Sequence, residues 1–267
     1  MKKYILITGA TDGIGLKSAE KFASMGKRLI LHGRRKERLS AAIERIRAIN
    51  PQVDLKGVVA DFEDLSATQE VFSSLKGVAL ECLVNNAGTF DSSGRLTKDG
   101  FEVTYQVNHL AHVLITHLLL DSLKKTEWAR IVIVASMAHA HAVDFNALEL
   151  KRFPVGYEAY ALSKLCNILF AFKMARMLKK ERISVNCIHP GVINTKLLVN
   201  NWGACGVDVN KAHEMVLFAC NLDKSVTGKY LKDFRVAKAA DIAYEETVQD
   251  RCYEISLKHL KEVGIKL

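Results

Sequence analysis

The sequence predicts an α/β fold: a single doubly wound parallel sheet with helices on both faces. Three observations predict it. Short apolar runs alternate with helical patterns along the chain. The runs are apolar nearly throughout, as strands buried on both faces are. The first run leads into a glycine turn that opens a helix.

Residues 4–8 read as the first strand and 15–24 as the helix after the turn. Residues 28–32 are the second strand, and 35–49 set Leu39, Ala42, Ile43, Ile46 and Ile49 at helical spacing. A third strand at 53–60 precedes a helix at 66–75, and ALECLVN at 79–85 is the fourth strand. A long helix is expected over 101–124, a fifth strand over 130–136, a second long helix over 157–180 and a sixth strand over 184–189. Residues 213–221 are again helical in pattern. No repeat or Pro-rich linker divides the chain, so 1–267 reads as one domain with a substrate lid near 196–224.

Hydrophobic residues at 49% and charged residues at 25% exclude disordered, collagen-like and disulfide-scaffold classes. The net charge of +9 permits an anionic partner, yet no motif or basic aromatic stripe supports nucleic acid. The apolar start at 4–7 is too short for a signal sequence, and no apolar run is long enough to span a membrane. The six cysteines form no CxxC pair and read as free thiols of a cytoplasmic protein. No spacing of His, Cys or Asp indicates a metal.

The turn Gly9-Ala10-Thr11-Asp12-Gly13-Ile14-Gly15 lets backbone approach a pyrophosphate at a helix N-terminus, the mark of a dinucleotide site. The second strand ends in His32-Gly33-Arg34-Arg35 with no acid for a ribose 2′-hydroxyl, so NADP(H) is expected, with the arginines on the 2′-phosphate. The competing reading makes them the start of a solvated basic helix, and that reading is preferred for Lys36 and Arg38. Asp61-Phe62 ends the third strand, where Asp61 either accepts from an adenine amino group or caps the next helix. Small residues in Asn85-Asn86-Ala87-Gly88 suit close approach to a cofactor ribose.

Tyr160 and Lys164 stand at i, i+4, on one face of a helix. A nearby ammonium lowers a phenol's pKa and suits it to proton exchange with a carbonyl–alcohol pair. Ser136 ends the fifth strand and either polarises a substrate carbonyl or caps a loop. Asn108 is an unfavourable residue inside a helix. It either holds a water relaying protons to Lys164 or makes an interhelix hydrogen bond. The pocket walls are expected at 91–96, 137–156 and 196–224. There, Leu197 and Trp202 either cover an apolar substrate or pack structurally. His139 and His141 are near Ser136, but no acid–base role is needed of them.

Taken in order, TGATDGIG, NNAG, Asn108, Ser136, Tyr160–Lys164 and Pro190-Gly191 resemble the short-chain dehydrogenase/reductase family over residues 4–195. The resemblance implies a Rossmann-type domain with Ser136, Tyr160 and Lys164 as the catalytic set and Asn108 as its fourth member. It also implies that Lys164 binds the nicotinamide ribose and that Pro190, Gly191, Val192 and Thr195 line the nicotinamide side. A narrower resemblance, to the retinol dehydrogenase-like branch that includes WW-domain oxidoreductases, rests on ASMAH, AYALSKLCNILF, HPGVINT and GKYLKD. Ser136 also precedes Tyr160 by 24 positions, as is typical of that branch. Two departures are Ala135, where relatives often have a second serine, and the lack of a membrane segment before Lys2. The implied activity is NADP(H)-dependent hydride transfer between nicotinamide and a carbonyl or alcohol of an apolar substrate such as an aldehyde, ketone, retinoid or steroid. The alternative is a non-catalytic NADP(H) sensor, although such relatives usually lack the Tyr or Lys. By family analogy the two long helices pair in a homodimer.

Overall fold

The structure is a computed structural model that describes residues 2–267. Among these, six strands match the predicted ones: β1 (Tyr4–Ile7), β2 (Leu29–Gly33), β3 (Leu55–Val59), β4 (Leu80–Asn85), β5 (Ala129–Val134) and β6 (Ile183–Ile188). Two further strands, β7 (Lys229–Lys232) and β8 (Arg235–Ala237), extend the sheet. Their short, charged sequences suit an edge and escaped a search for apolar runs. The order is β3-β2-β1-β4-β5-β6-β7-β8, parallel except at the β7–β8 hairpin. Strand order reverses between β1 and β4, which opens a crevice at the carboxyl ends.

The helices are α1 (Gly13–Ser24), α2 (Lys36–Ile49), α3 (Leu65–Ser73), α4 (Val103–Tyr105), α5 (Ala111–Leu118), α6 (Leu120–Lys124), α7 (Phe145–Glu149), α8 (Tyr157–Met177), α9 (Lys196–Trp202), α10 (Glu214–Asn221) and α11 (Glu246–Glu262). Ile5, Ile7, Leu29 and Leu31 pack on one face against Leu16 and Phe22 of α1, Leu39 and Ile46 of α2, and Val216 of α10. Leu6, Ile30, Leu83 and Ile131 pack on the other against Phe72 of α3, Leu114 of α5, Leu169 of α8 and Ile255 of α11. Each such aliphatic side chain contributes about 1.5–3 kcal/mol of burial free energy. This two-sided burial explains why the strands read as apolar runs rather than as alternations.

Two expectations are corrected. The helix expected at 101–124 is divided into α4, a π-helical turn (Gln106–Leu110), α5 and α6. The wide turn buries both Asn108 and His109, and polar partners wait for each. The lid expected at 196–224 ends before α10, because Met215, Val216 and Ala219 are part of the core against the sheet. The surplus apolar face of the second long helix is covered within the chain by α11, which buries Phe170 and Ile255 between them.

Candidate active site

The crevice above β1 and β4 is a cleft of about 320 Å³. The β1–α1 turn forms its floor. Gly9 has φ +65, and a Cβ there would lie 2.8 Å from Ala87 Cα. At Gly15 a Cβ would lie 2.3 Å from the Gly9 carbonyl oxygen. Gly15 therefore serves the packing of the turn and does not line the cleft, whereas Gly9, Thr11, Asp12, Gly13 and Ile14 do. Asp12 caps α1 by accepting from the Gly13 amide at 2.8 Å and pairs with Lys196 Nζ at 2.6 Å. The Lys196 ammonium and the Gly13 amide together outweigh burial and hold its carboxyl below the usual range.

One end of the cleft is cationic. Arg34 and Arg35 line it, and so does Arg38, which the sequence reading had left to solvent. Arg38 stands in the first turn of α2, two residues past its start, and so lines the cleft beside the loop that carries Arg34 and Arg35. Arg34 Nη1 lies 3.5 Å from Glu63, which also holds Arg95 at 2.7 Å. Gly33 ends β2 behind Thr11 and is not exposed to the cleft. Asp61 lines the cleft, and the capping alternative fails because Asp64 caps α3. Phe62 reaches the same wall, but its ring is buried and stacked on His32 at 4.3 Å. His32 itself escaped the sequence reading. Its Nε2–H donates to Ala60 O, and its Nδ1 accepts from the Gly9 amide at 3.1 Å. Burial pushes His32 down to about 4, so the ring is neutral and able to accept.

Asn86, Ala87 and Gly88 form the middle of the cleft. The Thr8 hydroxyl accepts from the Asn86 and Ala87 amides at 2.8 and 2.9 Å. At the far end the structure brings Tyr160, Lys164 and Ser136 together. Tyr160 and Lys164 line both the cleft and a second hollow of about 240 Å³, which Ser136 also lines. Lys164 Nζ lies 5.4 Å from the Tyr160 ring centre and donates to Val134 O at 3.1 Å. Burial pushes Lys164 down to about 8. The Tyr160 phenol is raised by burial, with the Ser136 hydroxyl opposing. The expected lowering is thus reversed, because desolvation outweighs the Ser136 hydrogen bond. Ser136 also accepts from the Ala138 amide at 3.1 Å, so its hydroxyl braces the following loop.

Asn108 fits the second of its two readings. Its Oδ1 accepts from the Thr89 amide at 2.7 Å, and its Nδ2 donates to Thr89 O at 3.0 Å and Ser163 Oγ at 3.1 Å. It clamps the strand-four loop to α8, and a Cβ on Gly88 would lie 3.3 Å from its Oδ1 and 3.7 Å from Lys164 Nζ. His139 is likewise structural: Nδ1–H donates to Ser136 O at 2.7 Å, and Nε2 accepts from the Ala240 amide at 3.0 Å.

The second hollow has few polar groups. Pro190, Gly191 and Val192 line it, Thr195 and Leu197 line both spaces, and Trp202 closes it. Trp202 lies edge-on to Phe90 at 4.7 Å and 6.1 Å from the Tyr160 ring. Of the expected walls, 137–156 contributes Met137 and Ala138. Residues 91–96 line neither space, because Arg95 is turned toward Glu63. The glycine turn, the cationic end and the polar middle fit a dinucleotide in charge and in order.

A family model described as short chain dehydrogenase matches residues 3–204. Retinol dehydrogenase 14 of Mus musculus is 31% identical over 95% of this chain and 84% of its own length. The WW domain-containing oxidoreductase of Gallus gallus is 37% identical over 75% of this chain and 51% of its own length, so this chain spans about half of that relative. The crystal structure of an uncharacterized protein from Mycobacterium paratuberculosis has a TM-score of 0.82 at 24% identity, covering 97% of this chain and 94% of that one. That likeness concerns the fold.

Proposed function

The chain belongs to the short chain dehydrogenase family, and from that premise we propose that it is an NADP(H)-dependent reductase of apolar carbonyl compounds. Membership makes it a dehydrogenase/reductase with a nicotinamide dinucleotide. The observation that carries the finer reading is a cleft with three arginines at one end and the Tyr160–Lys164 pair at the other. Arg34, Arg35 and Arg38 suit the 2′-phosphate of NADP(H), which a forked donor set grips and a ribose hydroxyl does not need. Gly9 to Ile14 would hold the pyrophosphate, and Asn86 to Gly88, Thr195 and Lys164 the nicotinamide half.

When bound, the dinucleotide supplies the hydride. Ser136 donates to the substrate oxygen and steadies it. Tyr160 transfers its phenolic proton to that oxygen as negative charge develops there. The raised phenol holds this proton through neutral pH, and the Lys164 ammonium, its Nζ 5.4 Å from the Tyr160 ring centre, would stabilise the phenolate left behind. Asn108 holds Thr89 and Ser163 in place and so fixes the loop facing Lys164. The hollow beside Ser136 is lined by Met137, Val192, Ile193, Leu197 and Trp202, which favours an apolar substrate.

The experiment is an NADPH-oxidation screen over aldehydes, ketones, quinones and steroids. Tyr160→Phe should bind NADPH with unchanged affinity and lose turnover by at least about a thousandfold. Persistent turnover in Tyr160→Phe removes it as the proton donor. Tight NADPH binding with no turnover of any carbonyl by the native protein favours a sensor.

A further inference from the structure

Three side chains far apart in sequence converge in the core. A ring nitrogen of His109 and the Sγ atoms of Cys166 and Cys252 all lie within 4.8 Å of one another, and all three residues are buried. His109 comes from the π-helical turn, Cys166 from α8 and Cys252 from α11.

The surrounding hydrogen bonds define the state of the imidazole. Ser256 donates its hydroxyl proton to Cys252 O at 2.8 Å, so toward His109 Nε2, also 2.8 Å away, its oxygen accepts. Nε2 therefore carries the proton of a neutral imidazole, and Nδ1 has a bare lone pair. That lone pair faces Asn167 Oδ1, a second acceptor, at 3.3 Å. Asn167 Nδ2 has no partner among the described residues, so no other bond fixes which end of the amide faces His109. The carboxamide can present either its NH2 group or its oxygen to that lone pair; with the oxygen inward, nitrogen and oxygen together suit a cation. Metal bonds of about 2.0–2.2 Å to nitrogen and oxygen set two tetrahedral donors about 3.3–3.6 Å apart. Two sulfurs complete the set, and thiolate with imidazole is the combination zinc prefers. Ser256 on the other ring nitrogen is the kind of outer partner that orients a ligating histidine.

We propose that His109, Cys166 and Cys252, with the Asn167 amide oxygen as fourth donor, form a closed structural site for a thiophilic divalent cation, zinc(II) fitting best. Loading displaces both thiol protons: one dication and two thiols give a neutral bis-thiolate centre and two released protons. All four donors are protein atoms in a buried core, so no position is open to water or substrate. The ion staples α8, two residues beyond Lys164, to α11 and to the turn carrying Asn108. The site stands independently of the cofactor and substrate reading.

The test uses the full chain. Protein produced with zinc supplementation is analysed for metal by mass spectrometry, and a sample refolded with cobalt(II) is examined for thiolate-to-cobalt charge-transfer absorption. About one ion per chain and tetrahedral cobalt bands are expected. Cys166→Ala/Cys252→Ala should lose both signals. Cys82→Ala/Cys220→Ala, which alters another buried thiol pair 3.4 Å apart, should keep both. The site is overturned by metal below about a tenth of an ion per chain with no cobalt band. A Cys166–Cys252 disulfide, or undiminished zinc in Cys166→Ala/Cys252→Ala, overturns it equally. If that double variant does not fold, the cobalt spectrum of the native protein decides alone.

Discussion

The Thr8 hydroxyl donates to His112 Nε2 at 3.2 Å, while His112 Nδ1–H donates to the Asn108 carbonyl at 3.0 Å. One imidazole thereby ties the end of β1 to the π-helical turn. The arrangement needs a neutral ring. Burial, aided by the Lys164 charge, pushes His112 down to about 3.

His112→Phe should therefore remove both hydrogen bonds and leave the Thr8 hydroxyl only Val84 O as acceptor at 3.3 Å. The expected cost is about 2 kcal/mol or more in denaturant unfolding at pH 7. Stability should also depend on pH. The unfolded chain protonates its histidines near pH 6.5, whereas folded His32 and His112 stay neutral down to about 4 and about 3. Stability is thus full above pH 6.5 and falls as pH drops toward those values. The loss should be about 2–3 kcal/mol per histidine by pH 4.5. His112→Phe should flatten that slope by one histidine's share; an unchanged slope refutes the assignment.

Arg34, just before α2, and Arg38, in its first turn, both line the cleft. Each alanine variant should weaken NADPH by about tenfold or more, the worth of one charge-assisted contact, and leave NADH nearly unchanged. Fluorescence titration with both cofactors reads this directly. Equal losses for NADPH and NADH would make the arginines structural.

Lys164 is buried and titrates at about 8, while the Tyr160 phenol titrates above its ordinary value. The ammonium is charged below that pH and neutral above it. Carbonyl reduction should therefore hold steady through neutral pH and then fall about tenfold per unit on the alkaline side. A kcat/KM profile that stays flat to about pH 9.5 would show that the Lys164 charge is not required.

Trp202 closes the apolar hollow and packs edge to face on Phe90 beside Tyr160. Trp202→Ala should raise KM for bulky apolar carbonyls by about 5–30-fold, the worth of one aromatic contact, and hardly alter small aldehydes. NADPH affinity should stay constant. A uniform loss across substrates would assign Trp202 to packing of α9.

Local chemistry by itself determined much of this protein. A strand buried on both faces must be apolar throughout, so six strands and their order along the chain were legible. A turn that packs Gly15 against Gly9 O admits only glycine, and an i, i+4 pair must share a helix face, so the cofactor turn and Tyr160–Lys164 were legible as well. What tertiary structure decided were properties of distance and dielectric. Burial, invisible to spacing, reversed the expected shift of Tyr160 and lowered Lys164. The placement of the first turn of α2 beside the cleft brought Arg38 to it, and a π-helical turn made Asn108 a brace. Packing of α10 on the sheet shortened the lid. Only the folding of three separate elements onto one another set His109, Cys166 and Cys252 within 4.8 Å, because their spacing along the chain carries no trace of their meeting.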